Sequence, residues 1–256
     1  MNFNLGDFVT RKSYHNDIIF KIINVDGDKV YLKGVDVRLL ADAPINDLNA
    51  YKNEVKDDFN IKLDEPKLDR DEYFYLPGKI LHLDGDGEYL DRCLKFYKDK
   101  KVYAIGKKIK EENMPSQVSI LLKEYKPDIL VITGHDAYNK KSGDIYNIDN
   151  YKNSTNFVKT VKNARKYERS HDKLVIISGA CQSDYEDLIK AGSNFASSPK
   201  RINIHALDPA IIATCVAITE RNKQIDLISL LNKTKYGADG MGGIICNGLM
   251  YVGFPR

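Results

Sequence analysis

Beyond Gly78 the chain alternates between two hydrophobic patterns. Short apolar runs appear in KILHLDGD, KVYAIGKKI, DILVITGHD, KLVIISGAC and INIHAL. Between them lie stretches whose apolar residues recur at helical spacing, which predicts helices over 88–98, 116–126, 156–169 and 183–191, with an apolar helix after Pro209. Strand and helix in alternation predict an α/β domain over 77–256, a mostly parallel sheet with helices on both faces. ILVIT and LVIIS are almost continuously apolar, as strands buried on both faces must be, so they are expected to be central neighbours.

The first 42 residues carry a different pattern. GDFVTRKSY, DIIFKIINV and KVYLKGVDVRLL alternate β-branched and aromatic residues around the turn Asp26-Gly27-Asp28, a hairpin signal. A small SH3-like β-barrel is the expectation for 1–42. The polar, charged stretch over 43–76, with Pro44 and Pro66, reads as a linker or extended arm with some helix.

Composition narrows the function. Lys plus Arg number 39 against 36 for Asp plus Glu, a net charge of +3 that demands no polyanionic partner, so nucleic acid is not expected. The N-terminus lacks a basic region followed by an apolar core, and no apolar run approaches the ~20 residues that span a bilayer, so no membrane insertion is expected. These features suggest a cytoplasmic protein with reduced thiols. The cysteines at 93, 181, 215 and 246 form no C-x-x-C pair, and neither a metal nor a cofactor is expected.

Two apolar strands end in the same construction: ILVIT runs into Gly134-His135-Asp136, and LVIIS into Gly179-Ala180-Cys181. If the strands are neighbours, His135 and Cys181 emerge together at the carboxyl edge of the sheet, where open α/β folds place their sites. A helix starting after Cys181 would direct its N-terminus at the thiol and favour the thiolate, with His135 as general acid and base. A single buried cysteine is usually a packing residue, yet packing gives no reason to repeat the construction. Cys93 in EYLDRCLKFYK and Cys215 in AIIATCVAI read as helix packing, and Cys246 as core.

At these residues the sequence resembles the caspase-like superfamily of cysteine peptidases. His135 and Cys181 are 46 positions apart (181 − 135), close to the roughly 50 of caspases. The chain departs from that pattern at Gly179, where caspases carry Gln, and at Asp136, where the superfamily usually has Gly. The resemblance implies an oxyanion hole built from the backbone N–H groups of Cys181 and Asp136. Over nearly the whole chain, GDFVTRKSYHNDIIFKI, ITGHDAY, SGACQSDYEDLIKAGSNFASSPKRINIHALDPA and KTKYGADGMGGI are similar to the YabG sporulation peptidases of spore-forming Firmicutes. That likeness implies an endopeptidase of the mother cell that acts on protein substrates of the spore coat and cortex, cuts after Arg and processes itself. An Arg preference requires an acidic pocket, for which Asp84 and Asp86 in HLDGDGEY are candidates and Asp184 a weaker one.

Two other readings compete. One is a non-catalytic coat scaffold on a degenerate hydrolase fold. The other is a nucleotide-binding domain suggested by DGDGEYL, against which the missing G-x-G-x-x-G weighs.

Overall fold

The computed structural model describes residues 3–53, 63, 71–139, 141 and 143–255. The chain divides into two compact units, Met1–Lys62 and Leu63–Arg256.

In the first unit, β1 (Phe8–Arg11), β2 (Phe20–Asp26), β3 (Lys29–Gly34), β4 (Leu40–Pro44) and β5 (Leu48–Ala50) form one antiparallel sheet in the order β4-β3-β2-β1-β5. The β2–β3 hairpin turns at Gly27, whose φ of 58° lies in the left-handed region that glycine enters without steric cost. Val9, Phe20, Ile22, Val30, Leu32, Ala43 and Leu48 supply the buried core. The sheet takes in strands past residue 42, because Ala43 and Leu48 complete that core. Within the arm expected over 43–76, residues 54–62 and 64–70 lie outside the described residues.

The second unit carries β6 (Phe74–Leu76), β7 (Ile80–Asp84), β8 (Ala104–Lys108), β9 (Ile129–Thr133), β10 (Val175–Ser178), β11 (Phe195–Ser197), β12 (Met241–Gly243) and β13 (Tyr251–Gly253). Its main sheet has six strands in the order β12-β11-β10-β9-β7-β8, parallel except for β12, while β6 and β13 pair with each other. β9 and β10 are adjacent inner strands in register, Ile129 opposite Val175 and Ile132 opposite Ser178. All nine of their residues are buried, which explains the unbroken apolar runs.

Helices α1 (Gly87–Asp99), α2 (Met114–Tyr125), α3 (Ser154–Tyr167), α4 (Tyr185–Ala191), α5 (Asp208–Ile218) and α6 (Leu227–Leu231) complete the unit. Leu81, Leu83, Leu130 and Ile132 enter one core with Met114, Val118 and Leu122 of α2 and Phe157 and Val161 of α3. Side chains alternate along a strand, so Ile129 and Val131 face the opposite side, where α5 packs on β9 and β10. Helix α5 is buried from Asp208 through Ala217, as a helix with no polar stripe must be. Each fully buried Leu, Ile or Val contributes about 1.5–3 kcal/mol, so this double-faced packing fixes the strand ends on which the site stands.

One expected strand is absent. INIHAL alternates like a strand, but residues 202–204 are irregular, and the strand of this region is β11, just before them. The backbone of Ile204 engages the side chain of Cys181 instead of a neighbouring strand.

Candidate active site

His135 follows β9 by two residues and Cys181 follows β10 by three, so adjacent parallel strands deliver both to the carboxyl edge. Gly179 adopts φ 103°, and a Cβ there would lie 2.9 Å from Leu188 Cδ1 and 3.2 Å from Ser197 Cβ. Only glycine makes this turn without strain.

Side chains tie the two loops together. Asp136, 3% exposed, accepts hydrogen bonds from Ala137 N (2.9 Å), Asn153 N (2.7 Å), Ser154 Oγ (2.5 Å) and Ser183 Oγ (2.8 Å). Ser183 lies two residues past Cys181, and its Oγ in turn accepts from Ala180 N (2.9 Å). Ser154 Oγ accepts from Asp184 N (2.8 Å). One carboxylate therefore binds the His loop, the start of α3 and the Cys loop. Burial pushes the Asp136 pKa up, and its hydrogen bonds counter that only in part. The backbone N–H of Asp136 makes no hydrogen bond among the described residues.

Gln182 makes a second tie. It sits at φ 58°, its N–H donates to Ser198 Oγ (2.9 Å) and Ile202 O (3.0 Å), and its side chain links Tyr138 N (3.3 Å) to Asn203 Oδ1 (3.0 Å). Cys181 is fully buried; its Sγ accepts from Ile204 N at 3.3 Å and donates to Ile204 O at 3.7 Å. The expected helix-terminus effect takes a different form. Helix α4 starts only at Tyr185, and its N-cap Asp184 already accepts from Asp187 N, so the amide facing Sγ is that of Ile204. The Ile204 backbone therefore lies directly against the buried sulfur.

The imidazole of His135 lies between two carboxylates, with Nδ1 3.6 Å from Glu111 Oε1 and Nε2 3.7 Å from Asp86 Oδ2. Both separations exceed hydrogen-bonding range and are electrostatic contacts. Glu111 Oε1 accepts firmly from the backbone N of His135, at 2.7 Å. Burial drives the Glu111 pKa up, but the contacts from His135 outweigh it, so the carboxyl stays below its ordinary value. Tyr89 stacks obliquely on the imidazole, with ring centres 6.0 Å apart.

The two acids proposed from HLDGDGEY separate. Asp84 is fully buried, accepting from Thr133 Oγ (2.8 Å) and Asp86 N (2.9 Å) beside His82 Nε2 (3.6 Å), so in this state it is an internal structural group. Asp86 caps α1 by accepting from Glu88 N and Tyr89 N, and its side chain keeps 14% exposure beside His135. Asp184 is paired with Arg201 at 3.3 Å. Glu111 escaped the sequence reading because EEN looks like any charged loop.

The remaining thiols have packing roles. Cys93 and Cys215 are buried in α1 and α5, and burial pushes the Cys246 thiol up to about 12, far from thiolate formation at neutral pH.

The YabG peptidase U57 family model matches residues 4–67 and 56–255. The chain belongs to that family. The sporulation-specific protease YabG of Bacillus subtilis (strain 168) is 40% identical to it over 286 aligned positions, covering 100% of this chain and 99% of the relative. Among the described residues, no helix is long and apolar enough to cross a membrane.

Proposed function

We propose that this YabG-family peptidase is a cysteine endopeptidase of sporulation, with Cys181 as nucleophile and His135 as general acid and base. The observation that supports this reading most is the junction of the two loops through Asp136 and Ser183, which holds the His and Cys segments in one arrangement. The thiolate attacks the scissile carbonyl, and the resulting oxyanion takes hydrogen bonds from the backbone N–H groups of Cys181 and Asp136. Imidazolium Nε2–H then protonates the leaving amine. The same nitrogen removes a proton from water, which hydrolyses the thioester and frees Cys181. Asp136 stands where the wider superfamily has Gly, and its carboxylate anchors the loop that presents the N–H.

The mostly parallel sheet with helices on both faces fits a caspase-like domain, and the N-terminal antiparallel sheet is read as SH3-like. The name of the Bacillus subtilis relative favours a sporulation role. We extend it to processing of spore coat and cortex proteins in the mother cell, with cleavage after Arg and self-processing. Asp86 is the preferred acid for the Arg side chain, because it keeps exposure beside His135 where Asp84 has none.

The test is proteolysis by purified Cys181→Ala and His135→Ala variants on a coat-protein extract and an Arg-containing peptide. Both should be inactive and folded by circular dichroism. Cleavage at the wild-type rate by Cys181→Ala would reject the mechanism and favour the scaffold reading.

A further inference from the structure

We propose that Glu111 is the positioning residue of the catalytic histidine, holding the ring with Nδ1 toward its carboxylate so that Nε2 is left for proton transfer. The inference rests on the peptidase reading above and deepens it.

Three segments build the arrangement. Glu111 opens the single helical turn Glu111–Asn113 after β8, and its side chain, 14% exposed, reaches the loop that follows β9. Two glycines leave room for it. A Cβ on Gly85 would lie 2.2 Å from Glu111 Oε1, and one on Gly134 would lie 2.4 Å from the same atom. Any side chain at either position displaces the carboxylate. A largely buried carboxylate is unfavourable unless charge and hydrogen bonds compensate it; here the compensation comes from His135, through its backbone N–H at 2.7 Å and its ring Nδ1 at 3.6 Å.

Among the described residues, the groups facing the ring are Asp86 and Tyr89 at the start of α1 and Glu111 after β8. Nε2 is buried and makes no hydrogen bond among the described residues, the condition of a nitrogen waiting for a reacting group. Contacts of this kind tighten when substrate fills a site. Glu111 keeps Nδ1 protonated without taking the proton itself, while Nε2 gives a proton to the amine and regains one from water.

The experiment compares Glu111→Ala, Glu111→Gln and Gly85→Ala, with exposed Glu112→Ala as control. Glu111→Ala should lower kcat about 100-fold with KM nearly unchanged, the scale of a mispositioned catalytic group. Gly85→Ala should reproduce that loss, and adding it to Glu111→Ala should cost nothing more. Glu111→Gln keeps an acceptor for the backbone N–H but loses the negative charge 3.6 Å from Nδ1. Its kcat should therefore fall between those of the wild type and Glu111→Ala. Nitrogen NMR of His135, recorded at a pH high enough for the ring to be neutral, should show the Nδ1–H tautomer in the wild type and a mixture in Glu111→Ala. Unchanged kcat and an unchanged tautomer in Glu111→Ala, with Cys181→Ala inactive, would overturn the role of Glu111 and leave the peptidase reading standing. An active Cys181→Ala would sink the peptidase reading, while the tautomer still reports the Glu111–His135 coupling.

Discussion

Replacing Asp136 by Ala removes the acceptor of four hydrogen bonds in a site where the residue is 3% exposed. Each buried donor left without a partner costs about 1–3 kcal/mol. The lower end applies, because burial already disfavours the charged carboxylate and its removal relieves that cost. Four donors at about 1 kcal/mol each give ~4 kcal/mol of destabilisation. In a domain of this size that lowers Tm by about 10 °C. Asp136→Asn should lose less, since its carbonyl oxygen still accepts from Ala137 N and Asn153 N and only the two serine hydroxyls must reorient. The measurement is thermal and urea unfolding by circular dichroism in the Cys181→Ala background, which prevents self-digestion. A Tm for Asp136→Ala within about 2 °C of its parent would refute the view that this carboxylate holds the two loops together.

Other perturbations separate the roles of neighbouring acids. Asp86→Asn should reduce kcat/KM for an Arg substrate relative to an uncharged one by about 10–100-fold, the worth of one charged hydrogen bond; an unchanged ratio would place the Arg-binding acid elsewhere. Asp86→Ala should in addition cost about 1 kcal/mol in unfolding experiments, because α1 loses its N-cap. Glu111 has a lowered folded pKa, so its stabilisation is present above the unfolded value and is lost as pH falls through the folded one. The Tm difference between wild type and Glu111→Gln should shrink as pH drops below roughly 4. A difference that grows under acid would contradict the assigned contacts.

What the sequence disclosed depended on how local each signal was. β9 and β10 were legible because strands buried on both faces leave an unbroken apolar run, and their twin glycine endings led to His135 and Cys181. The segment 202–204 was misread because its alternating isoleucines imitate a strand, whereas the N–H and C=O of Ile204 engage the Cys181 sulfur. That contact with the thiol has no signature in the local pattern. Glu111 was invisible for another reason: its place depends on gaps left by Gly85 and Gly134, residues distant from it in sequence that meet only in the folded sheet edge. In the sequence Asp136 stands out as the replacement of an expected glycine and as a backbone oxyanion donor, not for what its carboxylate holds. Its four donors come from three separate stretches of chain, and no local pattern announces them.

The most direct test of the central claim is covalent labelling of the wild-type protein with an Arg chloromethyl ketone, followed by peptide mapping of the adduct by mass spectrometry. The account predicts one adduct, on Cys181, whose formation is lost in His135→Ala, with Cys93, Cys215 and Cys246 unmodified. An adduct on another residue with Cys181 untouched, accompanied by loss of proteolysis, would contradict it.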